Sequence, residues 1–70
     1  MGTIKIVDHK GKEHFLKNVL SWGYANKEFL IGVQLNTIIP HTLRYKVEKI
    51  TSKVKVISVH IGDIEKLYIV

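Results

Sequence analysis

Polar and apolar residues alternate over short runs in this chain, and turn-forming residues interrupt those runs roughly every 8 to 12 positions, a spacing that points to a small sandwich or barrel. The clearest run is Phe29, Ile31, Val33 and Leu35, with Leu30, Gly32 and Gln34 on the opposite face. A period of two marks a half-buried strand, and this run predicts the central strand of a sheet. Gly32 leaves a gap on the second face, which invites close approach by Trp22 or by another stretch of backbone.

The neighbouring strands follow from the same pattern. Thr3–Val7 alternates around Ile4 and Ile6 and is rich in β-branched residues. Asp8–Lys12 supplies a turn, with Gly11 free to take the positive φ that a hairpin bulge requires. Glu13–Leu20 returns as the second strand. Its register has two forms: a bulged turn pairs Ile6 with His14, and a two-residue turn pairs Ile6 with Phe15. Ser21–Tyr24 continues extended, and Ala25–Glu28 is a second polar turn.

Beyond Pro40 the pattern fits two elements. Leu43, Val47 and Ile50 lie on a helical stripe, whereas Leu43, Tyr45 and Val47 alternate with Arg44, Lys46 and Glu48. The missing capping box favours a strand, with one short helix near 41–50 as the alternative. Thr51–Lys53 turns the chain. Val54 and Val56 then face one way, and Val59 and Ile61 resume after a one-residue shift at Ile57–Ser58, as a β-bulge would produce. Gly62–Asp63 marks the last turn, and Leu67–Val70 forms an apolar strand that pairs into the sheet or with another chain.

The expected object is a single all-β domain over residues 1–70, a five- to six-stranded antiparallel barrel or sandwich comparable in size to an SH3 domain. With 70 residues and no cysteine, it has neither disulfides nor thiolate metal sites to support a thin core. A hydrophobic fraction of 46% is rich for so short a chain. The surplus predicts an exposed apolar patch or a homo-oligomer. No apolar run approaches the roughly 20 residues of a membrane helix, and no signal peptide precedes the first strand. Membranes are therefore not expected as partners, and the expected location is cytoplasmic.

Charge gives the sharpest functional indication. The chain carries +5, and residues 44–55 hold five cations against Glu48 alone, a net +4. Arg44, Lys46, Lys49, Lys53 and Lys55 on a two-stranded hairpin would make a basic ribbon with an apolar back. Lys10 and Lys12 at the first hairpin tip extend it. Such a ribbon predicts capture of a polyanion, either nucleic acid or a phosphorylated nucleotide at a subunit interface. With all five residues on phosphates, affinity would fall with a log–log salt slope of about −4 to −5. Alternating lysines also blunt an edge strand against aggregation.

Trp22 and Tyr24 share a face beside Gly23, as a stacking platform or an interface anchor. Tyr45, if it points opposite to Arg44 and Lys46, cannot stack on a ligand that they hold. Histidines 9, 14, 41 and 60 lack metal-site spacing, so no metal or other cofactor is expected. No phosphate loop, nucleophile elbow or metalloprotease signature is present. The sequence thus predicts binding rather than catalysis. The alternative to polyanion capture is a small protein–protein inhibitor or adaptor of the phage-accessory type, using the aromatic surface or an edge strand.

Overall fold

Bulges in one long strand set the shape of the sheet. In the computed structural model, which describes residues 2–70, strand β1 (Gly2–Val7) pairs with the first half of β2 (Glu13–Ala25), and the second half of β2 pairs with β3 (Glu28–Gln34). The register slips once on each side of Val19, against β1 and then against β3. Asn18 accommodates the first slip with φ of 58°, a left-handed conformation that asparagine tolerates better than most residues. Bending at these points turns β2 away from β1 and towards β3.

Three further strands complete one antiparallel sheet. They are β4 (Lys46–Ile50), β5 (Val54–His60) and β6 (Lys66–Ile69), and the sheet order is β4-β5-β3-β2-β1-β6. A single 3₁₀ turn at Ile61–Asp63 links β5 to β6. The architecture is all-β, as the alternation predicts, with β4 and β6 as open edges. Among the described residues no helix is long and apolar enough to cross a membrane.

The core lies on one side of this sheet. Ile4, Ile6, Leu16, Ile31, Val33, Ile57 and Val59 are fully buried there, with Phe29, Ile64 and Leu67 packed at the margin. Ile39 and Leu43, from the connection between β3 and β4, cap it. That connection contains neither a strand from residue 43 nor a helix near 41–50; β4 begins only at Lys46. Leu43 leaves the alternation because burial of its side chain directs the segment inward. Its N–H closes a turn on the Pro40 carbonyl.

The first two hairpin turns show why their residues are there. Asp8 Oδ1 accepts from the backbone N–H groups of Lys10 and Lys12, and Gly11 takes a φ of 82°. The outcome is the bulged register, with Ile6 opposite His14. Asn26 and Lys27 both adopt positive φ, the signature of a tight turn whose twist matches the flanking strands.

Two local expectations are corrected. β5 carries no bulge at Ile57–Ser58, because its pairing with β3 runs unbroken from Val54 to His60. Its apolar residues change phase because both of its faces are covered: Val54 and Val56 are half-buried on one side, Ile57 and Val59 buried on the other. The bulge lies in β4 instead, between Val47 and Lys49. Beside Gly32, the close neighbour is Ser21 rather than Trp22: a Cβ placed on Gly32 would meet Ser21 Oγ at 2.6 Å. The terminal strand does pair into the sheet, with the Val70 and Thr3 backbones bonded to each other.

Candidate functional site

Arg44, Tyr45 and Lys46 line a single open cleft of about 350 Å³. Strict alternation would have sent Tyr45 away from its two neighbours, but alternation holds only inside a strand. Arg44 and Tyr45 precede β4, in the irregular segment that follows the inward turn at Leu43. All three residues therefore border the same space.

Three adjacent strands build the other wall. Glu28 of β3 lies opposite His60 of β5, and Ser58 of β5 lies opposite Lys46 of β4. Glu28, Ser58, His60 and Asp63 all border the cleft. Ser58 is nearly sealed from solvent and donates to Glu48 Oε2 at 2.7 Å, while Lys46 Nζ lies 3.8 Å from the same oxygen. His60 Nδ1 accepts from the Gly62 N–H at 2.9 Å, which leaves Nε2 to carry the proton of the neutral ring. Glu28 Oε2 is buried and receives no hydrogen bond among the described residues.

A second cleft of about 310 Å³ adjoins the first, with Arg44 and Asp63 bordering both. Its wall holds a hydrogen-bonded relay. His14 Nε2 lies 3.1 Å from Asp8 Oδ2, and His14 Nδ1 lies 3.1 Å from Thr42 Oγ1. An ionised carboxylate only accepts, so Nε2 carries the proton and Nδ1 of the neutral ring accepts from the threonine hydroxyl. The His14 hydrogen bond is the main cause that holds the Asp8 carboxyl below its ordinary range, and the Lys12 N–H adds to it. Lys10 borders this cleft as well. His9 reaches the Gly62 carbonyl from Nε2 and Glu65 from Nδ1, tying the first hairpin to the 3₁₀ turn.

The five-cation ribbon divides into separate parts. Lys46 and Lys49 lie on the outer face of β4, opposite Ser58 and Val56. Lys53 sits at the hairpin tip, beside a different hollow lined by Leu20, Leu35 and Asn36. Lys55 pairs with Val33 on the core side, and its ammonium lies 3.4 Å from the Thr37 carbonyl. It is directed to the β3–β4 connection because β5 lacks the bulge that would have turned it outward. Lys12 is exposed near the Asp8 turn. Trp22 and Tyr24 share the core-side face, opposite Ile31 and Phe29, yet remain 53% and 60% exposed. Trp22 stacks on Phe29 at 5.8 Å between ring centres and borders a small hollow with Val19 and Ile69. Neither aromatic borders the Arg44 clefts.

Charge in the first cleft is mixed. Arg44 and Lys46 face Glu28 and Asp63, and the second cleft repeats the balance with Lys10 and Arg44 against Asp8 and Asp63. Such a surface suits a ligand that carries both an anion and N–H donors, more than a bare run of phosphates. No cluster of three or more histidine or acidic side chains fit to hold a metal ion occurs among the described residues. Sequence reasoning missed Glu28, Thr42, Ser58, His60 and Asp63. Ser58 and His60 had a signal: they are the polar interruptions of the otherwise apolar end of β5, directly before the Gly62–Asp63 turn.

The fold and the clefts together define a small, open-sheet all-β domain with a mixed-charge recess at one end of β5. No family model, curated protein or solved structure matches the chain.

Proposed function

We propose that this protein is a cytoplasmic, non-enzymatic binding module for a phosphorylated nucleotide unit, free or within a single strand. The observation that carries the reading is the convergence of Arg44, Tyr45 and Lys46 on one cleft. The guanidinium and ammonium supply charge-assisted donors to a phosphate, and the phenol supplies a stacking face for a base. Lys49 on the same outer face and Lys10 beside Arg44 extend the contact.

A salt titration with a short labelled oligonucleotide tests this against the five-residue ribbon. Two phosphate contacts, from Arg44 and Lys46, give a log–log slope of about −1.4 on a single strand, where five ribbon contacts would give about −3.5. Arg44→Glu with Lys46→Glu abolishes binding, and Lys53→Glu leaves it within about twofold of wild type. Binding that survives the first pair of changes contradicts the proposal.

A second reading rests on a separate observation. Beyond Val19, β2 pairs with β3 alone among the described residues, and that free stretch carries exposed Trp22 and Tyr24. A strand with one open edge beside two accessible rings suits a protein contact, including a second copy of this chain. A concentration series by sedimentation, with Trp22→Ala alongside, decides whether that surface assembles.

A further inference from the structure

The cleft holds a hydrogen-bonding pair that a phosphate does not use. Glu28 and His60 face each other across β3 and β5, and both border the recess that contains Tyr45. Their needs are complementary. Glu28 Oε2 has lost water without gaining a donor, a costly state for a carboxylate. His60 has Nδ1 committed to Gly62, so its Nε2–H is the remaining donor. One side of the recess therefore lacks N–H groups, and the other supplies one.

We infer that this pair reads a base, and that the base is guanine. The inference rests on the nucleotide reading above. Guanine presents O6, N1–H and N2–H side by side: one acceptor followed by two adjacent donors. His60 Nε2–H donates to O6, and a small side-chain rotation brings the Glu28 carboxylate against N1–H and N2–H. Adenine offers one donor beside the N1 acceptor, and that lone pair repels the carboxylate. Cytosine has the same conflict at N3, and uracil flanks its single N–H with two acceptors. A site built on buried hydrogen-bonding groups rejects a ligand that leaves them unpaired far more strongly than an apolar pocket rejects a change of size.

Placement of the charges agrees. Glu28 on β3 and Lys46 on β4 are two strand spacings apart and offset by two residues along the strands, roughly 12 Å between backbones, the scale of one nucleotide from base edge to phosphate. Tyr45, which borders the same cleft, offers the stacking surface, and the acidic residue that would weaken a polyanion site becomes the specificity element.

The test is calorimetric titration of the full chain with the 5′-monophosphates of guanosine, inosine, adenosine, cytidine and uridine at low salt. Guanosine monophosphate is expected to bind at least about tenfold tighter than the adenosine form, with inosine, which keeps N1–H and lacks the N2 amine, between them. Glu28→Gln removes most of the guanine preference, by weakening guanosine monophosphate and by relieving the repulsion at adenine N1. Arg44→Ala weakens all five ligands together. Equal affinities for the guanine and adenine forms in the wild type overturn the base assignment while the phosphate reading stands. Absence of binding by every nucleotide overturns both. The wild-type series decides even if Glu28→Gln misfolds.

Discussion

His14 and Asp8 face each other across the first hairpin with Nε2 and Oδ2 3.1 Å apart, and the imidazole is almost wholly buried. Thr42 Oγ1 on the other ring nitrogen extends this contact to the β3–β4 connection, so one histidine links β2, the first turn and the segment that leads into Arg44. The folded-state Asp8 carboxyl is more acidic than its unfolded counterpart, chiefly through the His14 bond. A depressed carboxylate contributes stability that is present above the unfolded value, about 3.9, and lost as pH falls through the lower folded one. Denaturant midpoints for wild type and Asp8→Asn should therefore differ near neutral pH and converge in acid. A difference that stays constant across the acid range would show that the carboxylate's charge plays no part.

Thr37 offers a stability test away from the cleft. Its hydroxyl is buried without a partner among the described residues, while its carbonyl receives Lys55 and its N–H reaches Gln34. Thr37→Val keeps the shape and removes the orphan group. It should raise stability by about 1 kcal/mol, read as a higher denaturation midpoint. Destabilisation would mean that the hydroxyl finds a partner in solution.

Gly32 and Ser21 form a coupled pair. A methyl group on Gly32 collides with Ser21 Oγ, whereas Ser21 Cβ stays 3.9 Å away and Val54 3.6 Å away. Gly32→Ala should cost about 1 kcal/mol, and Ser21→Ala in the same chain should recover most of it. Additive losses in the double variant would place the strain elsewhere.

Lys55→Met distinguishes a structural lysine from a ligand contact. It preserves the aliphatic stem packed beside the β3–β4 connection and removes the ammonium at the Thr37 carbonyl. Stability should change slightly, and nucleotide affinity should stay within about twofold, since Lys55 borders neither Arg44 cleft. A tenfold loss of affinity would return Lys55 to the binding surface.

The contrast between Phe29–Leu35 and Arg44–Lys46 shows where sequence reading succeeds. The first run alternates inside a regular strand, so periodicity alone identifies Ile31 and Val33 as core. The second crosses a strand boundary, and the direction of Tyr45 depends on Leu43 entering the core, a tertiary event without a local signal. Lys55 was misplaced for a related reason. Half-buried valines on the outer face of β5 imitate a bulge, and a bulge of one residue reverses every side chain beyond it. Charge density drew attention to residues 44–55, but the acidic half of the cleft comes from Glu28 and Asp63, which only the β3–β5 register and the 3₁₀ turn bring near Arg44.

The most direct measurement is a two-dimensional amide NMR titration of the labelled protein with guanosine monophosphate at low salt. The account predicts saturable shifts centred on Glu28, Arg44 to Lys46, Ser58, His60 and Asp63, with the Thr51–Lys53 tip and Trp22–Tyr24 unmoved. Shifts concentrated at the hairpin tip or the Trp22 face, or no shifts at all, would contradict it.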